Sequence, residues 1–197
     1  MIELQAPLRR ARPDDDAALA ELVNIAGEGL PLYLWTGMAA PGETPWDVGR
    51  ARARRESGSF SYRNAVMLEV DGEVAACLIG YPLADNPEPI DYAGVPPMFV
   101  PLQELEDLAP GTWYVNVLAT FPQHRGKGYG TRLIALAEQL AAHAGCSGAS
   151  IIVSDANTGA RRLYERLGYR EHAMRPMVKE QWRNAGSNWV LLLKGFR

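Results

Sequence analysis

Residues 118–131 read LATFPQHRGKGYGT, and they are the stretch whose residue types could do chemistry. Glycines stand at 126, 128 and 130, Arg125 and Lys127 are interleaved with them, and an amphipathic helical pattern starts at Tyr129. The first N–H groups of a helix have no internal partner, and the helix dipole places positive potential there. Glycine lets the backbone approach an anion closely and adopt conformations closed to other residues. The two cations add charge of the right sign. A strand running into such a bend is a cradle for a phosphate or pyrophosphate.

Several readings share this pattern. A P-loop needs GxxxxGK followed by Ser or Thr, but Lys127 is followed by Gly128. A dinucleotide fingerprint needs GxGxxG, and position 131 is Thr131 where the third glycine should stand. Asp155, at the end of the next strand, mimics the ribose-binding acid of that fold, although a dinucleotide fold usually opens with its glycine motif. The bland alternative is a glycine-rich turn with no ligand, against which stand three glycines and two cations at one helix start.

Two linked stretches carry a family resemblance. Arg125-Gly126-Lys127-Gly128-Tyr129-Gly130 resembles the (Arg/Gln)xxGx(Gly/Ala) signature of the GNAT superfamily of N-acetyltransferases, and the lead-in LATFP resembles that family's strand end. Downstream, NTGARRLYERLGY at 157–169 is similar to the family's NxxAxxLYxxxGF pattern, with Tyr169 in place of the common Phe. The likeness is strong over residues 113–172 and weaker over 8–23 and 65–81. It implies an α/β (α+β) acyl-CoA N-acyltransferase fold: a mixed, mostly antiparallel central sheet of six to seven strands with helices on both faces. It also implies acetyl-CoA as co-substrate, a primary amine of a small molecule or peptide as acceptor, and direct attack without a covalent enzyme intermediate.

Carried over residue by residue, the resemblance assigns the pyrophosphate to the amides of Arg125, Gly126, Lys127, Gly128, Tyr129, Gly130 and Thr131. The pantetheine arm would pair with the strand edge at Leu118, Ala119 and Thr120, as an added strand does, and Asn157 would contact the same arm. Asn157 is equally well placed to cap the helix after it. Tyr164 matches the tyrosine proposed to protonate the departing thiolate; its structural alternative is a helix aromatic packed on the sheet. Some relatives place a glutamate where this chain has Asn116, and an amide accepts no proton at neutral pH. Asn116 is left to orient a water or the amine. Glu28, Asp85, Glu88 and Asp91 are other acids in segments that build acceptor sites in this family, each also readable as surface charge. An acyl-CoA-binding sensor without catalysis is the alternative that Asn116 raises.

These residues need elements to hold them. Residues 8–12 read as a strand, and Pro13 and Asp14 open a helix with Asp14 as N-cap. An apolar run at 30–35 begins a short helix or a substrate-side loop, and Thr44 or Pro45 opens a helix to about Glu56. Asp71-Gly72 between two β-prone runs, 65–70 and 74–81, is the strongest hairpin signal. Residues 82–111, rich in Pro, Gly and acids, form a long insertion with a short helix at 101–108. Strands follow at 113–120, 149–154, 169–172 and 188–193, with helices at 129–144 and 158–167. Tyr33, Trp35, Trp46, Tyr81, Tyr92 and Phe99 suggest an apolar-walled cleft.

Bulk properties set the frame. A chain of 197 residues with 47% hydrophobic and 22% charged residues suits one domain over 1–197 with that insertion. A net charge of −3 argues against a nucleic-acid partner. The chain has no apolar run of about 18 residues and no apolar signal region in its first residues, which leads to the expectation of a cytoplasmic protein. Cys77 reads as a core residue and Cys146 as a loop residue. His124, His143 and His172 show no ligand spacing, so no metal is expected. A homodimer is common among similar proteins.

Overall fold

The computed structural model describes residues 2–196. In chain order the elements are β1 (Leu8–Arg10), α1 (Asp16–Ala26), α2 (Leu30–Met38), α3 (Pro45–Ala53), β2 (Ala65–Val70), β3 (Glu73–Pro82), α4 (Val100–Glu106), β4 (Thr112–Thr120), α5 (Tyr129–His143), β5 (Gly148–Ser154), α6 (Thr158–Arg166), β6 (Arg170–Pro176) and β7 (Asn188–Gly195). The strands form one seven-stranded sheet in the order β1-β2-β3-β4-β5-β7-β6. The pairs β1–β2, β2–β3, β5–β7 and β6–β7 are antiparallel and β4–β5 is parallel. The mixed, mostly antiparallel sheet expected from the resemblance is therefore present, with helices flanking it. By packing, the chain divides into two compact units, Met1–Gly80 with Asn116–Ile134 and Tyr81–Val115 with Ala135–Arg197.

In the first unit the β2–β3 hairpin turns at Asp71 and Gly72, both with positive φ (53° and 82°), the geometry that makes Asp-Gly a hairpin signal. Leu19, Ala20, Leu22 and Val23 of α1 are buried at helical spacing against Met67, Cys77, Ile79, Val117 and Ala119. Trp35 belongs to this core, stacked on Phe60 with ring centroids 6.1 Å apart, so it does not wall a cleft. Asp16 is 3% exposed and takes ion pairs from Arg50 (3.0 Å) and Arg54 (2.8 Å), which ties α3 to α1. Arg50 and Arg54 thus have a structural role.

Two local expectations need correction. Asp14 does not cap α1: Pro13–Asp15 form a 3-10 turn, and the Asp15 carboxylate accepts the Arg12 amide (2.6 Å) while pairing with Arg9 (2.8 Å). The first strand stops at Arg10 because Arg12 already serves as the N-cap of that turn. Thr44 does cap its helix, accepting from the Asp47 amide at 3.2 Å while Asp47 accepts from the Thr44 amide at 3.0 Å.

In the second unit β5 pairs with β7 along its whole length, from Gly148↔Gly195 to Ser154↔Trp189. The insertion at 82–111 is pinned rather than loose. The Leu83 amide donates to the Thr112 carbonyl (2.8 Å) and the Gly111 amide to the Ala84 carbonyl (3.2 Å). Its helix α4 packs on β6 and β7, and Glu104 pairs with Arg175 at 2.7 Å. After α5, Gly145 at φ 77° reverses the chain and the Cys146 amide closes onto the Ala141 carbonyl.

Candidate active site

In the first unit the end of β4, a 3-10 turn at Pro122–His124 and the start of α5 bring Leu118, Ala119, Thr120 and residues 125–131 into one continuous bend. The Phe121 amide donates to the Ala75 carbonyl at 2.9 Å, which anchors the bend to β3. Gly126 and Gly128 have φ of 76° and 80°, the left-handed region that costs other residues energy. Added Cβ atoms there would meet nothing within 4 Å, so backbone conformation, not crowding, demands glycine.

The amides of Gly126, Lys127, Gly128, Tyr129, Gly130 and Thr131 have no acceptor among the described residues. Six donors at one bend, next to a helix N-terminus, form an anion cradle. The Arg125 amide is different: it donates to the Pro122 carbonyl at 3.3 Å, so its backbone is already engaged. Its guanidinium Nε reaches the Thr120 carbonyl at 3.4 Å. Asn116 is half-buried on β4.

In the second unit Asn157 caps α6, which carries Tyr164. The Asn157 side-chain oxygen accepts the Ala160 amide at 3.1 Å, so the helix-cap reading holds. Tyr164 is buried, its ring 6.2 Å from that of Tyr169. Burial pushes the Tyr164 hydroxyl up, so it stays a protonated donor at neutral pH. Asp155 is committed elsewhere. Its carboxylate accepts from the Ser187 amide (2.8 Å), the Asn188 amide (3.0 Å) and the Asn188 side chain (2.9 Å). Desolvation works against ionisation there, but those hydrogen bonds outweigh it and hold the carboxyl below the usual range. That engagement, and the mostly antiparallel sheet, remove the dinucleotide reading.

The other acids scatter. Glu28 sits at the α1–α2 corner with φ 52°. Asp85 lies near Cys146, whose thiol is raised by burial first and by the Asp85 charge second. Glu88 and Asp91 line a cavity in the insertion. Cys77 is fully buried and its thiol is pushed up to about 12, which makes it inert packing.

Glu106, at the end of α4, is an acid the sequence reading passed over. Burial, then the neighbouring Asp107 charge, push its carboxyl up to about 7. Its only sequence signal is an acid beside Leu105 in a short helix, and Glu104 and Asp107 share that signal. Tyr92 is exposed at 63%, so it does not wall the cavity. Among the described residues no group of three or more His, Cys, Asp or Glu could hold a metal ion, and no helix is long and apolar enough to cross a membrane.

No curated protein matches the sequence. A crystal structure of an acetyltransferase superposes with a TM-score of 0.67 at 19% identity, covering 98% of this chain and 100% of that one. An N-acetyltransferase from Staphylococcus aureus Mu50 gives 0.66 at 22% identity, over 96% of this chain and 100% of that one. A GNAT family acetyltransferase from Elizabethkingia anophelis, solved with acetyl-CoA bound, gives 0.50 at 16% identity, over 67% of this chain and 75% of that one. The family described as Acetyltransferase (GNAT) matches residues 32–169.

Proposed function

This chain belongs to the acetyltransferase (GNAT) family, and on that premise we propose that it transfers an acetyl group from acetyl-CoA to a primary amine of a small molecule or peptide. The observation that carries the reading is the row of unpartnered amides at 126–131. A pyrophosphate supplies the acceptors such a row lacks, and fixing it aims the thioester. The acetyl-CoA bound to the Elizabethkingia anophelis relative supports the same donor here.

The amine nitrogen attacks the thioester carbonyl carbon and gives up its proton. The tetrahedral intermediate then collapses, the C–S bond breaks, and the thiolate takes a proton. Tyr164, a neutral phenol at pH 7, is the donor for that last step, and Asn157 and the edge at Leu118, Ala119 and Thr120 hold the pantetheine arm. Asn116 cannot be the base, which also supports a second reading as a sensor that binds acetyl-CoA without turning it over.

Release of CoA thiol from acetyl-CoA across a panel of amines tests both. Thiol release above background establishes the transferase. Acetyl-CoA that stabilises the protein thermally without any turnover establishes the sensor. An absence of both refutes the donor assignment.

A further inference from the structure

Tyr169 follows the turn that ends α6 and is only 1% exposed. Its amide donates to the Tyr164 carbonyl at 3.0 Å, and its ring lies 6.2 Å from that of Tyr164, tilted by 59°. Lys194 Nζ on β7 stands 5.8 Å from the Tyr169 ring centre, held at 2.8 Å by both carboxylate oxygens of Glu138 on α5. All four residues belong to the second unit.

These neighbours fix the ring but leave the hydroxyl unused. Its oxygen is buried and has no hydrogen-bond partner among the described residues. Glu138 is near enough for its charge to act on the phenol, yet no hydrogen bond of normal geometry joins the two. A buried polar group without a partner costs stability. The Phe common at this position in the family pattern would avoid that cost. Tyr164 has the opposite difficulty. Burial penalises its phenolate, so it gives up its proton reluctantly unless some group donates to the oxygen left behind. The Tyr169 phenol suits that task. Burial first, and then the Glu138 charge, keep its proton on oxygen, so it offers a hydrogen bond and not a proton.

We propose that Tyr169 is a positioning residue for Tyr164: its ring orients the Tyr164 ring, and its unpartnered hydroxyl donates, directly or through one water, to the Tyr164 oxygen once that oxygen has given its proton to the thiolate. The inference rests on the acetyl-transfer reading above, with Tyr164 as the donor. The proton passes from the Tyr164 oxygen to the departing sulfur, the Tyr169 O–H bond stays whole, and solvent returns a proton to Tyr164 after CoA leaves. A hydrogen bond to a charged oxygen is about twice as strong as one to a neutral oxygen. The contact therefore favours the transition state over the resting enzyme.

Thiol release by the full chain, by Tyr169→Phe, by Tyr164→Phe and by the double variant tests this, together with thermal unfolding of each. Tyr169→Phe is expected to lower kcat about tenfold while KM for acetyl-CoA and for the amine stays within about twofold. Its Tm is expected to equal or exceed that of the parent chain, since an unpartnered buried hydroxyl is removed. In the Tyr164→Phe background the same change is expected to alter kcat by less than about twofold, because the oxygen it serves is gone. An equal loss of kcat in both backgrounds overturns the proposal. So does a Tyr169→Phe variant that fails to fold or melts lower, which would make the hydroxyl a structural group. A parent chain that releases no thiol with any amine ends the transfer reading and this role with it. A parent chain that turns over, matched by Tyr169→Phe, ends this role alone.

Discussion

The bend at 125–131 and the insertion at 82–111 both break the run of regular structure, yet they are built on opposite chemistry. The bend offers backbone donors: unpartnered amides, two glycines with positive φ, and open space around them. The insertion offers side-chain acceptors: carboxylates on an apolar wall, held in place by hydrogen bonds at its base and by α4 on β6 and β7. A site made from backbone tolerates change in most side chains but not in the conformation that aims the amides. A site made from side chains depends on which of several similar residues the packing turns inward.

The strongest way to break the comparison is Gly128→Glu. It places a bulky anion where the diphosphate would lie and strains a left-handed residue. Acetyl-CoA binding by calorimetry should fall by about a thousandfold or more; normal affinity would end the cradle assignment. Tyr164→Phe comes next. It should lower kcat by roughly a hundredfold while leaving the acetyl-CoA Kd within about twofold. An unchanged rate across pH removes the hydroxyl from the mechanism.

Glu106→Gln sharpens the other side through stability. The Glu106 carboxyl is raised in the folded state to about 7 from 4.5. Its favourable contribution is therefore complete below about pH 4.5 and is lost as pH rises through about 7. The ionisable groups around it are Asp107, Glu88, Asp91 and Tyr114, while Arg175 on β6 is committed to Glu104. Removing the titratable group should stabilise the fold at pH 8 by on the order of 2 kcal/mol, with its partial exposure allowed for, and by little at pH 5. Urea unfolding at both pH values checks this, and an equal effect at the two would show that the carboxyl is solvated.

Two smaller effects refine the bend. Gly128→Ala should cost about 1 kcal/mol of stability in thermal unfolding from φ alone, since the new methyl meets nothing within 4 Å. A cost of several kcal/mol would mean that the loop is crowded after all. Lys127→Ala removes one exposed charge and should weaken acetyl-CoA only about threefold, with the difference shrinking in high salt.

Much of this was legible in order along the chain. The Asp71-Gly72 turn, the apolar stripe of α5, the Thr44 cap and the glycine bend are local facts, because each depends on residues within a few positions of one another. Asp14 failed as a cap for a tertiary reason: Arg9 on β1 draws the Asp15 carboxylate back, and the first turn tightens to 3-10. Trp35 was read as a cleft wall, but Phe60 and the first unit's core claim its ring. Asp155 looked like a ligand-binding acid until its partners proved to be Ser187 and Asn188, more than thirty residues away.

The sequence by itself determined where backbone donors would be left unpaired, since glycine positions and a helix start decide that within one turn. It also determined the family, since the glycine signature and the later NTGARRLYERLGY stretch keep their order and spacing. Only the tertiary structure decided which carboxylates line one cavity. Glu88 and Glu106 meet in one cavity because hydrogen bonds at Leu83 and Gly111 close the insertion and α4 packs on the sheet. The desolvation of Glu106 follows from that packing, and no spacing along the chain encodes it.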